Sequence, residues 1–291
     1  MDKIKEIKIT DKNYPESLKN ISGAPKVLYY RGILPKNDEK MVAVVGTRRP
    51  SDYGQRATMQ IAGELVSAGL TIVSGMAPGI DTFAHKICVE KGKRTIAVLG
   101  SGLDETAIYP QQNVELSRQI VKHGGCLISE YPPTMPGLTH QFPERNRIVS
   151  ALSLGVLVVE AKERSGSLIT ARLAKEQHKK LFAVPGPIYT LNSSGPNKLI
   201  KEGATLVETA QDILDVLGIE GTSFFAKALG DFGVATPQEV AILAVLKEEA
   251  LYIDKIIEKT KLSAPATVST LALMEISGKV RNLGGNTYSL N

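Results

Sequence analysis

The sequence predicts a doubly wound α/β sheet followed by a small domain of helices and a hairpin, and three observations lead there. Short apolar runs recur from Met41 onward: MVAVVG, LTIVSG, TIAVLG, CLISE, VLVVEA, LFAVPG and ATLVE. Stretches of 3.6-residue periodicity separate several of them, among them ATMQIAGELVSAG, IDTFAHKICVEKG, ELSRQIVKHGG and LITARLAKEQHKK. After Gly218 the alternation stops and a glycine-rich passage leads into three helical stretches and a β-like ending. Strands apolar on both faces, joined by amphipathic helices, form parallel sheets covered on both sides.

A chain of 291 residues suggests about two domains at ~150 residues each. With 43% hydrophobic and 22% charged residues it reads as an ordinary globular protein. No apolar run approaches the ~20 residues of a membrane span, and MDKIKEIKIT lacks the apolar centre of a signal peptide. Cys88 and Cys126 sit far apart, which gives neither a disulfide framework nor a zinc site. A reduced, cytoplasmic protein is the expectation. Residues 1–40 carry 9 basic and 6 acidic groups, residues 41–217 carry 19 and 16, and residues 234–291 carry 6 and 6. The net charge of +5 therefore sits in the first two segments, which permits nucleic-acid binding without establishing it.

Taken in order, residues 1–40 form a leader expected to pack on the core, and residues 41–217 form the α/β domain. Gly69, Gly92, Gly124 and Gly203 fall where helix C-terminal caps are needed. Residues 218–233 carry no sustained periodicity and read as a linker, in which Phe224 and Phe225 are candidates for docking elsewhere. In residues 234–291, PQEVAILAVLKEE, YIDKIIEKTK and APATVSTLALMEIS precede KVRNLGGNTYSL, whose turn falls at Gly284-Gly285. Three short helices and a hairpin resemble a winged helix. Its third helix, Ala264 to Ser277, holds no Lys or Arg. A DNA reader draws phosphate and base contacts from that element, so protein contact or dimer packing is favoured here.

Ligands of a doubly wound sheet bind outside the carboxyl ends of its strands, so the strand-end turns carry the chemistry. VVGTRRPSDYG places Arg48 and Arg49 at the first such end, where a forked guanidinium suits phosphate oxygens, and Ser51 or Asp52 can cap the next helix. SGMAPGIDTFAH has glycines at 75 and 79 only; it is neither GxGxxG nor a P-loop, which argues against NAD or ATP. A glycine turn entering a helix N-terminus favours an anion, so Gly75 to Ile80 is expected to cradle a phosphate. Asp81 is expected to cap the helix and His85 to lie beside it rather than to react. QFPERNRIVSALS carries Arg145, Asn146 and Arg147 at a helix start. Arginines two residues apart project about 200° from each other, so one is expected to meet phosphate while the other pairs with Glu144 or Glu160. Ser165-Gly166-Ser167 forms a hydroxyl-rich turn, and Lys198 follows a second Ser/Gly turn near the next strand end. A row of anion-suited turns suits a polymer of phosphates.

Catalytic patterns are sparse. HExxH, a metal-spaced Cys/His set and G-x-S-x-G do not occur. His85, His123, His140 and His178 are dispersed, and Asp81, Asp104, Glu130 and Glu160 show no acid–base spacing.

Together these segments resemble the DNA-processing protein A family, also called DprA or Smf. The resemblance runs from YPESLKNISGAPKVLYYRG through VVGTRRPSDYG, SGMAPGIDTFAH, TIAVLGSGLDETAIYP, LISEYPPTMPG, FPERNRIVSALS, VVEAKERSGSLITARLAKEQ and FAVPGP to GPNKLIKEGA. It implies an extended Rossmann-like domain with a C-terminal winged-helix-like domain. It further implies a dimeric protein without cofactor or metal that binds single-stranded DNA, protects incoming strands in natural transformation and helps load the recombinase RecA. The site residues it implies are Arg48 (with Arg49 beside it), Gly75, Gly79, Arg145, Asn146 and Arg147, with Ser165, Gly166, Ser167 and Lys198 as weaker transfers. A short leader stands where some members carry a separate helical module. The competing reading is a nucleotide-processing enzyme similar to the phosphoribohydrolases, whose PGGxGTxxE signature supplies a glutamate. RSGSLITA, at the corresponding strand end, lacks both the glycine pair and the acid.

Overall fold

The inner strands of the central sheet send alternate side chains into opposite cores. Met41, Ala43 and Val45 join one cluster with Tyr14, Ile148, Val149 and Ala171. Val42 and Val44 join another with Ile61, Leu65, Ile80 and Ile213. The period of two that the apolar runs concealed is thus realised as two buried faces. The computed structural model describes residues 3–219, 237–247, 249–276 and 279–290. It divides into two compact units, Met1–Gly221 and Thr222–Asn291.

In the first unit the strands are β1 (Lys5–Lys8), β2 (Val27–Gly32), β3 (Met41–Val45), β4 (Thr71–Ser74), β5 (Thr95–Val98), β6 (Cys126–Ser129), β7 (Gly155–Val158), β8 (Lys180–Ala183) and β9 (Thr205–Leu206). They form one sheet in the order β1-β2-β6-β5-β4-β3-β7-β8-β9. Strands β3 to β9 run parallel, while β1 and β2 are antiparallel. The order reverses at β3, which lies between β4 and β7, so this strand marks the switch point of a Rossmann-like sheet.

The helices are α1 (Asp52–Ser67), α2 (Ile80–Glu90), α3 (Val114–Lys122), α4 (Gln141–Leu152), α5 (Gly166–Glu176), α6 (Ser194–Lys201) and α7 (Ala210–Leu217). Gly69, Gly92, Gly124 and Gly203 take φ of 89°, 62°, 75° and 97°, one residue past the caps of α1, α2, α3 and α6. Ser51 caps α1 by accepting from the Gly54 N–H.

The leader contributes β1 and β2, which lengthen the sheet beside β6. Tyr14 and Leu18 are buried against the core, and Arg31 reaches Ser117 of α3. The KEIK sequence of β1 carries one buried residue, Ile7, and its lysines blunt the sheet edge against further pairing.

The second unit contains α8 (Pro237–Leu246), β10 (Leu251–Tyr252), α9 (Ile253–Thr260), α10 (Ala264–Ile276), β11 (Val280–Asn282) and β12 (Thr287–Leu290). Its strands are ordered β10-β12-β11 around a core of Ile242, Leu246, Ile256, Leu271, Met274 and Tyr288. Gly284 and Gly285 supply the positive φ of the β11–β12 turn, 101° and 57°. This is a winged-helix arrangement. Most of the expected linker, with Phe224 and Phe225, lies outside the described residues.

Candidate nucleic-acid interface

Three strand ends meet at the switch point: Gly46 after β3, Gly75 after β4 and Ser165 beyond β7. Between them opens a cavity of ≈ 520 Å³. Glu160 builds its β3 side. Its carboxylate accepts from the Ser51 N–H at 2.9 Å and the Ser51 hydroxyl at 2.6 Å. The Thr47 N–H donates to the Glu160 carbonyl at 2.7 Å. This clamp fixes the start of α1 and with it the arginine turn.

Arg48 is exposed, lines the cavity and lies with Cζ 5.7 Å from the Phe142 ring centroid. Among the described residues it has no ion pair, so its donors remain available to an anion. Arg49 is also exposed but lies outside the cavity lining; its carbonyl accepts from Asn192. Phe142 and Tyr109 stand together with centroids 5.3 Å apart at 47°. Neither aromatic was singled out from the sequence, whose aromatic content of 5% is a thin supply for base stacking. Two rings folded into one cavity outweigh a low average. The only sequence signal was that Phe142 immediately precedes the PERNR stretch.

The expected phosphate cradle at Gly75–Ile80 is corrected by the structure. Asp81 Oδ2 already accepts from the Gly75 N–H at 3.1 Å and the Ala77 N–H at 3.3 Å. The anion in this turn is the chain's own. Asp81 therefore ties the loop ahead of α2 rather than capping the helix, whose N-cap is Gly79. Gly79 is required by space: at φ 84° a Cβ would lie 2.4 Å from the Thr47 carbonyl oxygen. Asn113 braces the turn by donating to the Met76 carbonyl and the Thr82 hydroxyl.

Arg145 and Arg147 take opposite sides of α4, as their spacing predicts, but neither offers a free guanidinium. Arg145 is buried and donates to the carbonyls of Gly75 and Val98 and, through Nε, to Asn146 Oδ1. It locks the carboxyl ends of β4 and β5 together. Burial lowers its pKa to about 10, against the opposing pull of Asp81. Burial likewise raises Asp81 to about 6, opposed by Arg145 and the loop N–H groups. Arg147 forms a bidentate pair with Glu130 at 2.6 and 2.7 Å and donates to the Gly23 carbonyl in the leader. The expected partners Glu144 and Glu160 are thus replaced by Glu130, with only the Glu144 carbonyl engaged.

His85 is buried, with Nδ1 2.8 Å from the Thr95 hydroxyl, which itself donates to the Ile72 carbonyl. That chain makes Nδ1 the donor, and burial holds the imidazole pKa down to about 3. It is a neutral core residue.

Ser165 caps α5, with its hydroxyl 2.8 Å from that of Ser167, and Asn146 donates to the Gly166 carbonyl at 3.3 Å. Ser165, Gly166, Ser167 and Asn146 all line the cavity. Lys198 does not. It sits in the last turn of α6, 3.9 Å from Glu202, because loop 184–193 separates that helix from β8 and its last turn is the end remote from the strand edge. Among the described residues no three His, Cys, Asp or Glu side chains gather as a metal site, and no helix is long and apolar enough to cross a membrane.

The chain matches the family model of DNA recombination-mediator protein A over residues 5–218 and that of the DprA winged helix domain over residues 234–286. It is 39% identical to protein Smf of Escherichia coli (strain K12) over 285 residues, covering 95% of this chain and 75% of that protein. To DNA processing protein DprA of Bacillus subtilis (strain 168) it is 42% identical over 217 residues, covering 74% and 71%. Its fold is similar to the X-ray structure of DprA from Streptococcus pneumoniae, with TM-score 0.66, 42% identity and coverage of 73% and 74%. A structure describing the single-stranded DNA binding mode of DNA processing protein A from Helicobacter pylori matches with TM-score 0.66 and 33% identity, covering 75% and 98%.

Proposed function

The chain belongs to the DNA recombination-mediator protein A (DprA/Smf) family, and on that premise we propose that it binds single-stranded DNA without sequence preference. In this reading it works as a homodimer in the cytoplasm, protects incoming strands in natural transformation and hands them to the recombinase RecA. One observation carries the DNA-binding reading: Arg48, without an ion pair among the described residues, stands over the ring of Phe142 in a cavity at the switch point. A phosphate oxygen takes the Arg48 fork while a base lies against Phe142 and Tyr109. Base–aromatic stacking tolerates every base, which gives affinity without sequence readout. Ser165, Ser167 and Asn146 add neutral donors, and Gly75 lines the wall. Arg145 and Arg147 hold the frame. The single-stranded DNA binding described for the Helicobacter pylori relative supports the same ligand.

Among the described residues Asp81 is the one carboxylate that lines this cavity, and its engagement with two N–H groups beside Arg145 weighs against a role in hydrolysis. The second unit offers a third helix, α10, without Lys or Arg, which favours a protein partner. The test is a titration of unstructured single strands and matched duplexes at two salt concentrations, with wild type and Arg48→Ala. Single strands are expected to bind more tightly, with the variant weakened. Equal affinity for single strand and duplex, or an unchanged variant, would overturn the reading.

A further inference from the structure

A second cavity of ≈ 350 Å³ lies beside the first and shares Ser165 and Gly166 with it as a common wall. Arg164 and Arg172 stand on its sides with Glu163, and Leu168 and Ile169 are its apolar lining. Arg164 is exposed and has no ion pair among the described residues. Arg172 is 70% exposed and reaches Glu176 at 3.7 Å, a solvated helix pair of the kind that contributes little. Between the two cavities the ridge is Gly166, exposed, where a Cβ would meet nothing within 4 Å. A polymer crosses there without obstruction.

We propose that this groove is a second phosphate station for the strand held in the Arg48 cavity. The strand passes over Gly166 and lays its following phosphates between Arg164 and Arg172. The inference rests on the nucleic-acid reading of the first cavity and extends it from a single pocket to a path with a direction, from β3 across the start of α5. Two guanidinium groups line the groove against one lining carboxylate, with Glu176 reaching Arg172 from outside the lining, and each planar fork can chelate phosphate oxygens. Phosphates on a polymer also arrive in a row, so a ligand anchored at Arg48 presents the next charges at high local concentration.

The test compares a dinucleotide, which fills the first cavity alone, with an oligothymidylate of about twelve nucleotides, within the span such proteins cover. Three variants are used: Arg48→Ala, the double variant Arg164→Ala/Arg172→Ala, and Gly166→Leu, which raises a side chain on the open ridge. The double variant is expected to bind the long strand about tenfold more weakly, with the salt slope reduced by about 1.4 for two lost contacts. Its dinucleotide affinity is expected to stay unchanged. Gly166→Leu is expected to weaken the long strand more than the dinucleotide, and Arg48→Ala to weaken both. If Arg48→Ala weakens both ligands but the double variant holds the long strand with a wild-type slope, the second station is overturned. If Arg48→Ala changes neither, the underlying reading fails instead. A double variant with altered oligomeric mass and an unchanged slope would assign the groove to protein contact and likewise overturn the proposal.

Discussion

Asp81 and Arg145 hold Gly75 from two sides. The carboxylate accepts from its N–H at 3.1 Å, and the guanidinium donates to its carbonyl at 2.5 Å. A Cβ on Gly75 would lie 2.6 Å from Arg145 Nη2 and 2.7 Å from Asp81 Oδ2, so only glycine fits between them. The two buried charges offset each other, and the turn that resembles a phosphate cradle is closed from within. Asp81→Ala leaves two N–H groups unpaired and Arg145 without its counter-charge. We expect a loss of about 3–5 kcal/mol in urea unfolding; a loss below about 1 kcal/mol would show that the turn does not need its carboxylate.

The same region sets a pH response with two opposed parts. His85 is held down to about 3 from 6.5. The unfolded chain takes up this proton first, so the stability His85 supplies is full above pH 6.5 and is lost as pH falls toward 3. Asp81 is raised from 3.8 to about 6. The folded state keeps this proton longer, so its contribution is full below 3.8 and is lost as pH rises through 6. His85→Gln removes the first part alone. Relative to wild type, the variant should gain stability as pH falls from 6.5 toward 3.8, read from urea midpoints. A difference that stays constant across that window refutes the assignment.

Arg48 and Phe142 should lose different things. Arg48→Ala removes a phosphate contact, lowering affinity and reducing the salt slope by about 0.7. Phe142→Leu keeps apolar bulk but removes the ring, which costs about 1–3 kcal/mol of binding with the slope unchanged. Anisotropy titrations at several salt concentrations separate the two, and a slope change in Phe142→Leu would contradict the stacking role.

Arg147→Ala breaks the pair with Glu130 and the tie to Gly23. Both charges are largely buried, so thermal stability should drop, by about 3 kcal/mol, through loosening of the leader. Oligonucleotide affinity at a temperature where the variant is folded should match wild type. Weakened binding with normal stability would instead place Arg147 on the DNA.

Two glycines at the same edge should respond oppositely to alanine. Gly79→Ala forces φ 84° on a side chain and drives a Cβ into Thr47, so stability should fall by more than about 2 kcal/mol. Gly166→Ala faces open space and should stay within about 0.5 kcal/mol of wild type. Equal losses would mean that the two turns are not distinguished by packing.

The strands of the α/β unit were legible because burial on both sheet faces demands continuous apolar runs. The glycines at 69, 92, 124 and 203 were legible because a left-handed cap excludes most side chains. Strand β1 was not, since an edge strand such as KEIK is mostly polar and carries no such signature, and VLYYRG of β2 was read only as part of a leader that packs on the core. That Arg48 and the Ser165–Ser167 turn fall at strand ends also followed from sequence order alone, and the fold brings them to one cavity. Which charges are free there did not follow from that order. Arg145 finds carbonyls 70 and 47 residues away, Arg147 finds Gly23 across 124 residues, and Tyr109 meets Phe142 only through folding. Local pattern determines elements and turns, because those depend on neighbours in the chain. Whether an arginine is spent on the frame or left for a ligand is decided by the groups brought against it in space, and only the tertiary structure supplies them.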